Sequence, residues 1–236
     1  MFVASFPSAA FGTNVYIVAP ERGEQCVVID PGIEVASGVD EILRDNHLEP
    51  VAVLLTHGHI DHTFSVVPVG TARGLPAYIH PADRELLADP MKGISRETQQ
   101  MFGGRLEWVE PSDVRLIDGA PMEIAGLSIG VDLAPGHTPG SVMFRLPGAP
   151  AEAIDILGVG QTLISGDVLF AGSIGRTDLP GGSHEQMMRS LQDRVMTLPD
   201  DVLVLPGHGP ATTIGTEKAS NPYLQQEPAT PSVRGL

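Results

Sequence analysis

Apolar and polar positions follow two alternating periods along this chain. Short β-branched runs end in glycine, proline or aspartate: NVYIVAP (14–20), CVVIDPG (26–32), VAVLLTHG (51–58), PAYIHP (76–81), LSIGVDLAPG (127–136), QTLISGD (161–167) and DVLVLPGHG (201–209). Each predicts a strand closed by a turn. Near-continuous runs such as VAVLL and DVLVL predict strands covered on both faces. Between the runs the period lengthens. Val35, Val39, Ile42 and Leu43 share one helix face over 35–46, and Met187, Met188, Leu191, Val195 and Leu198 share another over 183–198. Ser183 with Gln186 makes a capping-box start, and Pro199 marks a stop. Methionine in that stripe reads as core filler. Strands alternating with helices predict an α/β protein with helices on its outer faces.

Length and charge narrow the picture. At 236 residues the chain suits one domain over 1–236, with a core over about 1–215. Residues 216–236 read as a C-terminal appendage, and the proline-rich 225–236 has little to bury and is expected to fray. Asp+Glu number 29 against 14 Lys+Arg, a formal charge of −15. That balance argues against a nucleic-acid partner, which needs a basic surface. No apolar stretch approaches the ~20 residues of a membrane span. The N-terminus lacks the basic segment of a secretory signal, so a cytoplasmic protein with no membrane partner is expected. Cys26 is the single cysteine, which excludes an intrachain disulfide, and it reads as a small buried apolar residue.

Candidate chemistry gathers where strands end. LLTHGHIDH (54–62) places His57, His59 and His62 within six positions around Asp61. Later turns deliver His137 after VDLAPG, Asp167 after TLISG and His208 after DVLVLPG. Ligands of α/β layers collect at the carboxyl ends of strands, so neighbouring strands would bring these turns together. Five of the eight histidines are used this way. Residues two apart in extended chain project to one side, so His57 and His59 can grip one ion, with His137 as a third imidazole. Asp61, His62 and His208 offer a second ion a carboxylate and two imidazoles, and Asp167 can bridge the pair. The spacing differs from the helical H-E-x-x-H zinc motif. Imidazole and carboxylate suit zinc, iron or manganese, and without thiolate ligands the pattern does not choose among them. Two ions about 3.5–4 Å apart form an arrangement suited to hydrolysis. His47, His80 and His184 sit at helix and strand ends and read as structural.

THGHIDH, PGHTPGS, SGD and PGHG, in this order over about 11–215, strongly resemble the metallo-β-lactamase superfamily. The resemblance implies a four-layer αβ/βα sandwich with two divalent ions, zinc foremost, in a cleft at the edge between the two sheets. VVIDPG (27–32) resembles an acidic turn near the site of that family, which leaves Asp30 as either a residue backing the site or a plain turn residue. GDVLFAGSIGRTDLPGG (166–182) is similar to the hydroxyacylglutathione hydrolases, particularly a short bacterial branch, and GTEKASNPYL (215–224) is similar to that branch's ending. Typical lactamases of the main zinc class carry a cysteine at the place of Asp167, which speaks against antibiotic hydrolysis as the native task.

Two departures qualify the likeness. Full-length glyoxalase II enzymes carry a helical C-terminal domain for the glutathione carboxylate, which this chain is too short to contain. Their thiol-contacting tyrosines are replaced by Gly209, Pro210 and Asp178. Arg176 matches a basic residue of that family and reads either as a contact to a carrier thiol or as a salt bridge anchoring the 170–180 loop. The resemblance thus implies a binuclear hydrolase of an acyl thioester, S-(2-hydroxyacyl)glutathione or a related low-molecular-weight thiol ester, with Asp61 orienting the attacking hydroxide. The alternative is a persulfide dioxygenase of the same fold, with one iron on His57, His137 and Asp167. A nuclease of this fold is disfavoured by the charge.

Overall fold

The computed structural model describes residues 1–102 and 108–225. Strands β1 (Phe2–Pro7), β2 (Asn14–Ala19), β3 (Gln25–Ile29), β4 (Glu49–Leu54), β5 (Ala77–Ile79) and β6 (Val114–Leu116) form one sheet in chain order. β1 to β3 pair antiparallel and β3 to β6 parallel. Then follow β7 (Met122–Ile124), β8 (Leu127–Leu133), β9 (Val142–Leu146), β10 (Gln161–Gly166), a small hairpin of β11 (Leu169–Phe170) and β12 (Ser173–Ile174), β13 (Val202–Pro206) and β14 (Thr212–Thr213). The second sheet runs β14-β13-β10-β9-β8-β7, with β10 and β13 its parallel pair.

The period of two sorts these strands into layers. Tyr16, Val18, Val27 and Ile29 face inward and share a core with Ile129, Phe144, Ile164 and Leu203 of the second sheet. Their chain neighbours Val15, Ile17, Cys26 and Val28 point outward, packing with Val39 and Leu43 of the helix Ala36–Asp45. On the far side Leu163, Val202 and Val204 meet Met187, Leu191 and Val195. Helices therefore cover both outer faces of two stacked sheets, the four-layer arrangement expected. Cys26 is fully buried, and burial pushes its thiol up to about 12.

Local signals hold where the sequence places them. The Ser183 side chain accepts the Gln186 N–H at 3.3 Å and caps the helix His184–Ser190. The chain continues through one wider turn, Leu191–Val195. Strands β1, β6, β7 and β9, and the two-residue strands β11, β12 and β14, are absent from the apolar runs read above. β1, β6 and β7 are half-exposed edges. β9 is central, but Arg145 interrupts its apolar run and pairs with Asp132 on β8.

The C-terminal reading needs revision. Residues 216–224, taken for an appendage, are packed against the second sheet. Within the helix Ile214–Ser220, Ile214 and Glu217 are buried, and Asn221 and Leu224 follow them inward. Ile214 and Leu224 join the outer core there. The rest of the stretch expected to fray, 226–236, lies outside the described residues. Among the described residues no helix is long and apolar enough to cross a membrane.

Candidate metal centre

Backbone hydrogen bonds stitch the strand ends of the two sheets into one cleft. Asn14 N–H donates to the Gly207 carbonyl at 2.7 Å, Gly207 N–H to that of Gly166 at 2.8 Å, and Val142 N–H to that of Thr56 at 2.8 Å. The end of β4 therefore brings His57 and His59, and the helix Ile60–Thr63 brings Asp61 and His62. The β8–β9 turn brings His137, the end of β10 Asp167, and the end of β13 His208. His59 is still in extended backbone, and the helical turn begins only after it. All seven residues converge. Ligand atoms of His57, His59 and His137 lie within 4.8 Å of one another, and so do those of Asp61, His62 and His208. Asp167 sits between the two groups, 3.3 Å from His62 Nε2, 3.4 Å from His208 Nε2 and 3.5 Å from His137 Nε2. His47, His80 and His184 belong to neither group.

What stands behind each ring decides which nitrogen faces the centre. His137 Nδ1 lies 2.7 Å from the Arg176 carbonyl, and His208 Nδ1 lies 3.1 Å from the Phe11 carbonyl. His62 Nδ1 lies 3.0 Å from Asp30 Oδ2. Carbonyl and carboxylate oxygens only accept, so each Nδ1 carries the hydrogen and each neutral ring turns its Nε2 lone pair inward. His57 follows the same rule. The Thr56 hydroxyl donates to Asp30 Oδ2 at 2.6 Å, so it accepts from His57 Nδ1 at 3.1 Å. Asp30 thus backs two imidazoles, one directly and one through Thr56. This favours the first of its two readings.

The resulting centre is short of positive charge. His62 Nε2 and His208 Nε2 face each other at 3.3 Å. His59 turns Nδ1 to His137 Nε2 at 2.8 Å, and His57 Nε2 and Asp167 Oδ1 are buried with no hydrogen-bond partner among the described residues. Buried lone pairs aimed at one another are repulsive unless a proton or a cation lies between them. Cations satisfy this donor set, and imidazole with carboxylate is the chemistry that zinc, iron and manganese accept.

The local electrostatics carry the same imbalance. Burial, helped by His62 and His137, holds His57 well below the ordinary histidine range. Burial and His137 bring His59 down to about 3. Burial acts on the carboxylates in the opposite sense, but His62 and His208 outweigh it, leaving Asp61 at about 2 and Asp167 well below the usual range. His62 and His208 are the counterparts. Burial lowers them, yet Asp167 and Asp61 raise His62 well above its ordinary value and His208 to about 9.

Asp83 is a site residue that no motif signals. Its side chain is fully buried and accepts from Gly58 N–H at 2.9 Å, Gly140 N–H at 2.7 Å and the Thr138 hydroxyl at 2.6 Å. It ties the H-x-H turn to the turn carrying His137. The hint in the sequence was weak, a lone acid after the turn-forming IHPA (79–82). Gly207 has a steric role, since a Cβ there would lie 2.1 Å from Asp167 Oδ1.

A cavity of about 430 Å³ opens over the centre, walled by Phe11, Ile60, Ile94, Phe170, Ile174 and Leu179, with His59, Asp61, His137, Asp167 and His208 at its floor. Arg176 also lines it and forms a two-point ion pair with Asp178, at 2.7 and 2.8 Å. That pair joins two exposed residues of the 170–180 loop to each other.

Comparison with known proteins agrees with this picture. Residues 9–208 match the family described as the metallo-beta-lactamase superfamily. An uncharacterized protein of Mycobacterium tuberculosis is 42% identical over 95% of this chain and 98% of its own. A probable metallo-hydrolase of Bacillus subtilis is 35% identical over 92% and 95%. A hydroxyacylglutathione hydrolase of Haemophilus influenzae is 30% identical over 96% and 100%. Among solved structures, the BLEG-1 B3 metallo-beta-lactamase is 34% identical with a TM-score of 0.80, over 95% of this chain and all of that one. The protein TTHA1623, solved in a di-iron-bound form, is 36% identical with a TM-score of 0.73 over the same shares. By sequence match, fold and the convergence of its histidine turns, this chain belongs to the metallo-beta-lactamase superfamily.

Proposed function

We propose that this protein is a binuclear metal-dependent hydrolase that cleaves an acyl thioester, with S-(2-hydroxyacyl)glutathione or a related low-molecular-weight thiol ester as substrate. One observation carries the reading: a second, fully backed ligand set stands beside the first. Asp30 behind His62 and the Phe11 carbonyl behind His208 turn two lone pairs toward Asp61 and Asp167. A mononuclear site would need no such arrangement. The named activity of the Haemophilus influenzae relative and the di-iron form of the related structure support the same reading.

His57, His59 and His137 would hold one ion, Asp61, His62 and His208 the other, and Asp167 would serve both. Bound divalent ions supply polarisation of a carbonyl and water acidified to about neutral pH. The chain supplies the rest. Thr13 donates to Asp61 Oδ2 at 3.1 Å and fixes the carboxylate that orients the attacking water. Ile60, Phe170, Ile174 and Leu179 exclude bulk water from the ester. The backing of each imidazole sets its tautomer before substrate arrives.

The test is elemental analysis of protein purified without added metal, beside hydrolysis of S-lactoylglutathione. Two metals per chain with thioester cleavage is the expected outcome. One iron per chain, no hydrolysis and oxygen uptake with glutathione persulfide would replace this reading with the dioxygenase.

A further inference from the structure

GTEKASNPYL (215–224) takes no part in the metal chemistry, yet two of its polar side chains are buried, Glu217 at 1% exposure and Asn221 at 0%. A carboxylate out of water is costly unless its oxygens are hydrogen-bonded, and those of Glu217 are. Oε1 accepts from the Thr212 hydroxyl at 2.7 Å. Oε2 accepts from Asn221 Nδ2 at 2.8 Å and from Gly172 N–H at 2.8 Å. Asn221 Nδ2 also donates to the Ser173 carbonyl at 3.0 Å. Gly172 and Ser173 belong to the hairpin β11–β12, whose turn needs Gly172 at φ +70. That hairpin has two residues per strand, too few to hold itself in place. It nevertheless supplies Phe170, Ser173 and Ile174 to the cavity. The Phe170 ring stands edge-on to His208, with centroids 5.9 Å apart.

We propose that Glu217 and Asn221 are positioning residues for substrate: from the C-terminal helix they hold hairpin β11–β12 so that Phe170 and Ile174 present a fixed apolar wall to the thioester. The proposal rests on the thioesterase reading. A wall set in advance lowers the ordering needed on binding, so its effect falls on KM. The metal ligands are anchored separately. Gly175 packs so closely on the Asp167 carbonyl that a Cβ there would lie 1.8 Å away, and the Arg176 carbonyl holds His137.

The experiment uses the full-length, metal-loaded protein and Glu217→Gln. Glutamine keeps the volume but removes the charge, and its NH2 group faces either the Thr212 hydroxyl, which must then reverse to accept, or the donors of Gly172 and Asn221. KM for S-lactoylglutathione is expected to rise about tenfold with kcat within about twofold and metal content unchanged. Backbone exchange at Gly172 should quicken in the same variant. Asn221→Ala, which leaves the Glu217 carboxylate in place, gives the same split if Glu217→Gln fails to fold. A merely structural role would lower kcat and metal content together at constant KM; that result, or an unchanged KM, overturns the proposal. If the wild type cleaves no thioester, the substrate reading falls by itself, and exchange decides the positioning link. Gly172 protection lost in either folded variant then supports it, and protection unchanged in both overturns it.

Discussion

Asp83 accepts hydrogen bonds from Gly58, Thr138 and Gly140, so one buried carboxylate sets the distance between the turn carrying His57 and His59 and the turn carrying His137. Burial pushes its carboxyl up, while the bonds from Thr138, Gly58 and Gly140 pull the other way. Asp83→Asn places an NH2 group against a backbone N–H, a mismatch of about 1–3 kcal/mol. Loss of a group that orients ligands typically weakens metal binding about 10–100-fold. We expect that loss in the His57–His59–His137 group, with the Asp61–His62–His208 group retained, measured by metal titration of folded protein. Equal weakening of both sites, or of neither, would count against this role. The seven converging residues were legible because H-x-H-x-D-H is dense and each later one closes a strand. Asp83 was not. Its partners are backbone amides far along the chain, and backbone amides leave no mark in sequence.

The elements were legible where a buried face leaves an unbroken apolar run or stripe, as β9 with its Arg145 does not. The stripe Met187, Leu191, Val195 predicted a helix because its spacing matches the helical period, and those residues are buried against β10 and β13. Its start can be tested directly. Ser183→Ala removes the acceptor for Gln186 N–H and should cost about 1 kcal/mol of stability, read by denaturant titration with an unchanged slope. No measurable change would show that the cap adds nothing to the packed stripe. Edge strands β1, β6 and β7 escaped because a half-exposed edge need not alternate cleanly. Residues 216–224 escaped for another reason: a buried Glu and Asn read as polar surface unless their hydrogen-bond partners are known.

At the scale of the whole molecule, the formal charge of −15 includes the unmet carboxylates of the cleft. In metal-free protein, protons supply part of the missing charge. His62 lies well above and His208 at about 9, both above the ordinary 6.5. The stabilisation from both is therefore complete below pH 6.5; that from His208 is lost as pH rises through about 9, and that from His62 is lost only well above its ordinary range. At pH 7 metal uptake must expel these protons, so affinity should rise with pH. Calorimetric titration of chelated protein in buffers of differing ionisation enthalpy checks this; heats independent of buffer would show the rings already neutral. Metal at a hundredfold excess over its dissociation constant should also stabilise the fold by about 2.7 kcal/mol. The sequence by itself determined the strand and helix periods, the outer placement of helices they imply and the residues that gather in the cleft, because periodicity and strand-end chemistry are local properties. Only the tertiary structure decided which nitrogen each histidine presents, that Asp83 couples two turns and that the C-terminal helix grips the cavity wall. Those are contacts between residues distant in the chain, and they exist only once two sheets close on each other.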